Sequence, residues 1–170
     1  MGSLPELLQQ ECLLTGPFTL RSGRTASEYF DKYRMEANPE LLAEVARRML
    51  RLIPPGTDVL AGLEMGGIAI ATMLSHFSGI PAAFVRKEAK AYGTARLCEG
   101  ANVVGKRVLI VEDVVTSGGQ IAISAAELRG IGAIVHHAVC VIDREEGGAQ
   151  NLSVAGITLA PLLRRRDFPR

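Results

Sequence analysis

The segment KRVLIVED at residues 106–113 contains an unbroken apolar run, VLIV, which constrains the fold of this 170-residue chain more than any other feature. A strand with one face in water alternates apolar and polar residues, so a continuous run predicts a strand that is buried on both faces. Other short apolar strands alternate with stretches of helical periodicity, which predicts an α/β fold with a mostly parallel sheet flanked by helices. The predicted strands are residues 58–63, 80–86, 106–113 and 133–143, and the predicted helices are residues 39–50, 66–77 and 118–130.

Composition limits the classes of protein to which the chain can belong. With 48% apolar and 22% charged residues it has the balance of a soluble globular protein, and its length fits a single domain over residues 1–170. A net charge of +1 gives no reason to expect a nucleic-acid partner. The sequence contains neither a signal-peptide pattern nor an apolar stretch of 18 residues, so we expect no membrane association and a cytoplasmic location. Cys12, Cys98 and Cys140 lack disulfide or metal-ligand spacing, so we expect free thiols and no metal site built by the protein.

Unusual polar clusters follow the predicted strands at their carboxyl ends, where parallel sheets bind ligands. After the segment at residues 106–113 come Thr116, Ser117, Gly118 and Gly119. A turn between a strand and a helix exposes backbone N–H groups and the positive end of the helix dipole, and glycines let a ligand approach the backbone. The spacing matches neither GxxxxGK[ST] nor GxGxxG. These residues therefore predict a site for a phosphate monoester rather than for a nucleoside triphosphate.

Two adjacent acids, Glu112 and Asp113, precede this turn. Carboxylates would repel a bare phosphate, but they accept hydrogen bonds from a vicinal diol. A phosphate and a diol that are one sugar ring apart describe ribose 5-phosphate. The residue types alone leave a second interpretation open, in which two solvated acids end the strand and an ordinary turn follows.

The segment VLIVEDVVTSGGQ, at residues 108–120, resembles the phosphoribosyl diphosphate (PRPP) signature of the type I phosphoribosyltransferases. The loop RKEAKAYGTARLCEG, at residues 86–100, is similar to the flexible catalytic loop of one branch, the orotate phosphoribosyltransferases, with Tyr92 in place of the usual His. Cations in this loop would stabilise the charge that develops on a departing diphosphate, although a solvated basic loop is the alternative. The segment LEMGG, at residues 63–67, occupies the family's first diphosphate-binding loop. The resemblance implies that Lys90 and Arg86 are catalytic, and that PRPP is bound by Arg86, Lys87, Lys90, Tyr92, Glu112, Asp113, Val114, Val115, Thr116, Ser117, Gly118, Gly119 and Gln120.

Two further segments resemble the orotate-binding parts of the same family. FTLRSGRTASEYFDKYR, at residues 18–34, is similar to its N-terminal segment, with Arg21 where Lys is usual. IDREEGG, at residues 142–148, matches the loop whose arginine contacts the orotate carboxylate, a pairing that suits a bidentate guanidinium. The resemblance implies the type I phosphoribosyltransferase fold, with a base-binding N-terminal hood over about residues 1–38 and a PRPP-binding core over about residues 39–160. It also implies orotate contacts from Arg21, Tyr29, Phe30, Thr116 and Arg144.

The activity that the resemblance implies is transfer of ribose 5-phosphate from PRPP to orotate in pyrimidine biosynthesis. Mg²⁺ would arrive with PRPP rather than in a protein cage. The family's catalytic loop reaches into a neighbouring subunit, which implies a homodimer. Two alternatives stay open: a phosphoribosyltransferase for another nucleobase, and a non-catalytic regulator that senses PRPP. His76, His136 and His137 are expected to have no catalytic role, and the basic run at residues 164–166 is expected to be a solvated tail.

Overall fold

The computed structural model describes residues 2–19, 23, 25–87 and 97–169. Its α-helices are α1 (Leu4–Cys12), α2 (Lys32–Ala37), α3 (Pro39–Met49), α4 (Gly66–Ser78), α5 (Gly119–Gly130) and α6 (Gly148–Val154). Its strands are β1 (Leu13–Thr19), β2 (Thr25–Phe30), β3 (Val59–Leu63), β4 (Ala82–Val85), β5 (Cys98–Gly100), β6 (Arg107–Val115), β7 (Ile134–Asp143) and β8 (Thr158–Arg164).

Six strands form one sheet in the order β5-β4-β3-β6-β7-β8. Every neighbouring pair is parallel except β4 and β5, which are antiparallel. The strands β1 and β2 form a separate antiparallel hairpin near the N-terminus. The mostly parallel α/β sheet that the sequence pattern predicts is therefore confirmed, with β6 near its centre.

Helices cover both faces of the sheet, and the strands contribute alternate side chains to two hydrophobic clusters. Leu60 and Leu109 belong to the cluster that also contains residues of α1, α3 and α4. Val59 and Ile110, one position along each strand, belong to the cluster that contains residues of α5 and α6. This alternation explains the apolar run of β6 at residues 108–111, because both faces of the strand are buried there.

Glycines let α4 approach the sheet closely. A Cβ at Gly62 in β3 would lie 2.6 Å from the carbonyl oxygen of Gly67, and a Cβ at Gly67 would lie 2.3 Å from that of Val111 in β6. Neither position has room for a side chain. The first turn of α4 therefore lies directly over β3 and β6, and this brings Gly66 to the carboxyl end of β6.

The C-terminal segment differs from its prediction. Residues 158–164 form the edge strand β8, which contains Pro161; an edge strand tolerates proline because its missing N–H faces away from the sheet. The basic run is not a free tail, since Arg164 ends β8 and the guanidinium of Arg166 donates from Nε to Oε1 of Glu145 over 2.7 Å. The expectation for residues 164–166 is therefore confirmed in one respect, since all three arginines are exposed, and wrong in the other, since they belong to ordered structure rather than to a free tail.

Two expectations from composition can be compared with the structure. Cys12, Cys98 and Cys140 all lie in the described ranges and are free thiols, as predicted. Within those ranges no helix has both the length and the apolar character needed to span a membrane.

Candidate active site

The carboxyl ends of β6 and β7 bring two of the predicted segments together. Val115, the last residue of β6, pairs with Asp143, the last residue of β7. The backbone N–H of Arg144 donates to the carbonyl oxygen of Val115 over 2.9 Å. The predicted base-binding arginine is thus attached to the strand that leads into the predicted phosphate turn. Arg21, Lys90 and Tyr92 lie outside the described residues.

The turn between β6 and α5 has the features that an anion site requires. Thr116, Ser117 and Gly119 are exposed. Gly118 adopts a left-handed conformation (φ 77°) immediately before α5, and no described side chain caps the N-terminus of this helix. The first N–H groups of α5 therefore remain available to a ligand, together with two hydroxyl donors.

Helix α6 supports this turn from behind, which the sequence analysis did not predict. Asn151 donates from Nδ2 to the carbonyl oxygen of Ser117 over 3.0 Å. A Cβ at Gly148 would lie 2.6 Å from the carbonyl oxygen of Thr116, so only glycine allows α6 to pack there. Asn151 belongs to no sequence motif. The nearby glycines 147 and 148 were the only local sign that α6 packs closely against another segment.

The two acids of the signature point in different directions. Strand β6 continues to Val115, two residues past its predicted end, so Glu112 and Asp113 both lie within it and project to opposite faces. Glu112 is half-buried, and its Oε1 accepts a hydrogen bond from the N–H of Asp113 over 2.9 Å. Asp113 is only 1% exposed. The acids are adjacent in sequence, but they do not present a paired carboxylate surface.

Asp113 belongs to a buried polar cluster with Lys32 and Glu36 of α2, beside Gly66. Its Oδ2 lies 2.5 Å from Nζ of Lys32, and its Oδ1 accepts from the N–H of Val114. A Cβ at Gly66 would lie 1.7 Å from Oδ2 of Asp113 and 2.7 Å from Oε1 of Glu36. The cluster therefore fills the space between α2, α4 and β6.

Burial and charge shift the pKa values of the groups in and next to this cluster. Burial, followed by the charge of Asp113, raises the pKa of Glu36 to about 7. The same two causes raise the pKa of Glu112 to about 8. Burial lowers the pKa of Lys32, but the hydrogen bond and the charge of Asp113 outweigh it, so this pKa lies above its usual value. Perturbed groups of this kind concentrate at functional sites.

Three other residues of the predicted PRPP set use their side chains within the fold. Val114 packs against the first hydrophobic cluster, and Val115, 2% exposed, belongs to the second. Gln120 donates from Nε2 to Oγ of Ser124 over 3.3 Å. These residues can offer a ligand their backbone groups.

The predicted diphosphate loop at the end of β3 contacts the start of the predicted catalytic loop. Oε2 of Glu64 accepts a hydrogen bond from the backbone N–H of Lys87 over 3.1 Å, and the backbone N–H of Glu64 donates to the carbonyl oxygen of Val85 over 2.8 Å. The N–H of Arg86 donates to the carbonyl oxygen of Leu97 over 2.9 Å. Lys87 is exposed, and Nε of Arg86 is buried without a hydrogen-bond partner among the described residues. The carboxylate of Glu64 is thus directed to backbone at the base of this loop.

The predicted base-binding residues have different environments. Tyr29 is 42% exposed and its ring centroid lies 5.6 Å from that of Phe18. Phe30, the next residue of β2, packs against the first hydrophobic cluster and lies 6.1 Å from the ring of Phe168. Arg144 is half-exposed, with its Nε 3.0 Å from Oε1 of Glu146. Of these side chains, those of Tyr29 and Arg144 are the more accessible to a ligand.

Comparison with known proteins gives a consistent result. The model of the phosphoribosyl transferase domain matches residues 33–154. Orotate phosphoribosyltransferase of Nocardioides sp. is 52% identical over 157 residues, which cover 92% of this chain and 88% of that protein. The crystal structure of the Mycobacterium tuberculosis enzyme in complex with Fe(III) dicitrate is 31% identical, with a TM-score of 0.87 over 98% of this chain and 97% of that one. The complex of the M. tuberculosis enzyme with PRPP is 30% identical, with a TM-score of 0.83 over 96% and 95% of the two chains.

The sheet order, the turn between β6 and α5, and the domain match together define a phosphoribosyltransferase of the type I fold. Within that class, the chain belongs to the orotate phosphoribosyltransferase family.

Proposed function

We propose that the chain transfers the ribose 5-phosphate group of PRPP to a ring nitrogen of orotate, with release of diphosphate and formation of orotidine 5-monophosphate. The bond from C1 of the ribose to the diphosphate breaks, and a bond from C1 to the ring nitrogen forms with loss of the nitrogen's proton. The observation that carries the proposal is the exposed turn at the uncapped N-terminus of α5, with Arg144 attached beside it through the carbonyl of Val115. This arrangement supports the proposal of a phosphate site and a carboxylate-binding guanidinium at neighbouring strand ends.

In this proposal the sheet core holds the sugar phosphate. The N–H groups of Gly119 and Gln120 and the hydroxyls of Thr116 and Ser117 bind the 5-phosphate, because the helix dipole favours an anion there. Glu112 is the half-buried acid and accepts from the ribose hydroxyls, whereas Asp113 supports the site from within. The PRPP-binding core spans about residues 39–160, and about residues 1–38 form the base-binding hood.

The leaving diphosphate and the base have their own partners in the proposal. Lys90 and Arg86, together with Lys87, neutralise the charge that develops on the diphosphate. This lowers the energy barrier to departure of the diphosphate. Arg144 binds the orotate carboxylate in the bidentate manner, through guanidinium nitrogens other than the Nε that contacts Glu146. Tyr29 covers the base with its exposed ring.

The substrate is the magnesium complex of PRPP. Mg²⁺ retains water and binds through phosphate oxygens, so it enters with the diphosphate. The described residues contain no group of three or more His, Cys, Asp or Glu side chains placed to hold a metal ion, and the proposal assigns the metal to the substrate. Three free thiols also fit a reducing compartment, so a cytoplasmic location is part of the proposal.

The direct test follows orotate absorbance after the purified chain is mixed with PRPP and Mg²⁺, with uracil, hypoxanthine and adenine assayed in parallel. Consumption of orotate alone is the expected result. Arg144→Gln should raise the KM for orotate and leave the KM for PRPP unchanged, because the amide cannot pair with a carboxylate in the same way. Consumption of another base would contradict the role of Arg144. PRPP binding without consumption of any base would favour the regulator.

We also propose a homodimer in which each catalytic loop serves the neighbouring site. Lys90→Ala and Arg144→Ala should each be nearly inactive, because the first removes the loop cation and the second removes the base contact. Mixing the two variants should restore activity, since a mixed dimer contains one site with neither substitution. Recovery of no activity after subunit exchange, or a monomeric mass in solution, would contradict the shared arrangement.

A further inference from the structure

The cluster of Lys32, Glu36 and Asp113 connects three parts of the candidate site. Lys32 and Glu36 lie one turn apart on α2, which begins two residues after Phe30 at the end of β2. Asp113 lies in the PRPP signature on β6. Gly66 opens α4, directly after the predicted diphosphate loop. A single buried carboxylate therefore contacts elements assigned to the base, the ribose and the diphosphate.

Both oxygens of Asp113 are already in use within the protein. Oδ1 accepts from the N–H of Val114 and so fixes the backbone just before the turn at Thr116. Oδ2 lies between Lys32 and the backbone of Gly66, with no space for even a methyl group at Gly66. With 1% of its surface exposed, Asp113 cannot reach a ligand without leaving its partners. Its position sets the positions of two ligand-binding loops.

Lys32 is the cation that makes this arrangement possible. A carboxylate as buried as Asp113 requires a charged or hydrogen-bonding partner, since an unpaired buried charge is strongly unfavourable. The Lys32 side chain is 31% exposed, and its ammonium contacts the buried acid. Glu36 adds a second carboxyl group, and its Oε1 is buried with no hydrogen-bond partner among the described residues. Removal of Lys32 would leave two buried acids facing each other.

We propose that Lys32 is a positioning residue of the PRPP site: it holds the Asp113 carboxylate between the turn at Thr116 and the loop that ends at Gly66, with Glu36 as the second acid of the cluster. This inference rests on the proposed function and adds to it two residues of α2 that do not themselves contact PRPP. It assigns ribose recognition to Glu112 and support of both phosphate loops to the Lys32–Asp113 pair. The effect of losing Lys32 should therefore appear in PRPP affinity rather than in orotate affinity.

The decisive variant is Lys32→Met, which keeps an unbranched side chain, one atom shorter, and removes its charge. The dissociation constant for the magnesium complex of PRPP should rise about tenfold or more, as is usual when a residue that orients a binding group is lost. At saturating PRPP, the KM for orotate should change less than about twofold, because Lys32 is not a base contact. Lys32→Arg should recover most of the PRPP affinity, since it restores a cation. Lys106→Met is the matched control, because this exposed lysine lies just before the first residue of β6, at the end of the strand opposite to Asp113.

A second variant keeps the test valid if Lys32→Met does not fold. Glu36 faces Asp113 of β6, Lys32 of α2 and Asp31 just before α2, with the backbone of Gly66 from α4 beside it. Ionisation of Glu36 adds a negative charge next to Asp113, so PRPP affinity of the unaltered chain should fall as the pH rises through about 7. Glu36→Gln should remove this component of the pH dependence, because glutamine has the shape of the protonated acid and cannot ionise.

The outcomes separate this inference from the proposed function. A folded Lys32→Met variant that binds PRPP within about twofold of the unaltered chain would overturn the inference, as would an unchanged pH profile in Glu36→Gln. If the unaltered chain binds PRPP but consumes no orotate, the proposed function fails while the affinity comparison still decides the role of Lys32. If the unaltered chain does not bind PRPP, both are overturned.

Discussion

The two edges of the central sheet use the same residue types in opposite ways. At the carboxyl edge, burial raises the pKa of Glu112 to about 8 and that of Glu36 to about 7. At the amino edge, the side-chain hydrogen bond from Arg107 lowers the pKa of Asp58 to about 2. Burial thus favours the protonated forms of Glu112 and Glu36, whereas Asp58 is a half-buried carboxylate whose two oxygens both accept from Arg107.

The edge that the proposal assigns to the ligand is distinguished by these pKa shifts and not by the shape of the surface. A cavity of about 150 Å³ lies at the amino edge, next to Pro55, Arg107 and His137. There Oδ2 of Asp58 accepts two hydrogen bonds from Arg107, one from Nε over 3.1 Å and one from the backbone N–H over 2.8 Å. At the carboxyl edge, no described side chain caps the N-terminus of α5, and Oε1 of Glu36 is buried with no hydrogen-bond partner among the described residues. The cavity therefore lies at the edge opposite to the one that the proposal assigns to the ligand.

The largest expected effect on activity comes from adding a methyl group at the carboxyl edge, with a matched substitution at the amino edge as its control. Gly66→Ala puts a Cβ 1.7 Å from Oδ2 of Asp113, so the acid or the loop must move. We expect kcat/KM for PRPP to fall about 100-fold or more, equivalent to about 3 kcal/mol of transition-state stabilisation. Steady-state kinetics at saturating orotate would measure it.

Gly56→Ala is the matched substitution at the amino edge. Its Cβ would lie 2.3 Å from Nη1 of Arg107, the flexible end of an exposed side chain, and Gly56 has φ +81°. The left-handed conformation should cost about 1–2 kcal/mol of unfolding free energy, while PRPP kinetics stay unchanged. Normal PRPP kinetics in Gly66→Ala, or a loss of activity in Gly56→Ala, would remove the distinction between the two edges.

A smaller effect is expected from the two ends of α5, which runs between the edges. Gly119 at its start has only Oγ of Ser117 near its Cβ position, at 3.7 Å, and Gly130 at its end has nothing within 4 Å. Gly119→Val should therefore leave folding intact and weaken PRPP binding about tenfold, because the side chain occupies space that the proposal gives to the 5-phosphate.

Gly130→Val is its control, with the same change in composition and in helix propensity. Isothermal titration with the magnesium complex of PRPP would compare the two, and thermal unfolding would confirm that both variants fold. Equal PRPP affinity in both variants would show that the N-terminus of α5 is not the phosphate site.

The layout of the fold could be predicted from sequence because it depends on patterns that are local. The apolar run of β6 requires burial on both faces, and Asn38 with Pro39 marks the start of α3, where the Asn38 side chain accepts from the N–H groups of Glu40 and Leu41. Strand β8 was missed because Pro161 and the arginines after it are typical of a loop. Only pairing with β7 makes it a strand, and such long-range pairing is not visible in a short window.

The candidate site could be predicted in part, for the same reason. The turn at Thr116 to Gly119 is a contiguous motif and lies where the sequence placed it. The environment of Asp113 depends on Lys32 and Gly66, which are far away in sequence, so neither its burial nor its ion pair could be predicted. Glutamate and aspartate look equivalent in the motif, and the pleat of β6 separates them.

The acids of the carboxyl edge should make stability fall with rising pH. Glu36 and Glu112 have folded-state pKa values above the usual 4.5, so they contribute stability that is complete below that value and is lost as the pH rises through about 7 and 8. Glu112→Gln should remove the upper part of this loss, because it cannot ionise. Urea unfolding at a series of pH values measures it, and a flat profile between about pH 5 and about pH 9 would contradict the shifts.

The smallest effect, of opposite sign, is expected at the amino edge. The pKa of Asp58 is lowered, so its pair with Arg107 contributes stability above the usual value of 3.8 and loses it as the pH falls through about 2. Arg107→Ala should lower the melting temperature slightly at neutral pH, since Arg107 is exposed, Asp58 is only half-buried and the N–H of residue 107 still reaches Asp58. The difference in melting temperature from the unaltered chain should vanish in acid, where Asp58 is protonated, and PRPP affinity should not change.

By contrast, Glu112→Gln should match the stability of the unaltered chain in acid and exceed it in base. If both variants instead differed from the unaltered chain in the same direction across this range, the acids of the two edges would not be in opposite electrostatic states.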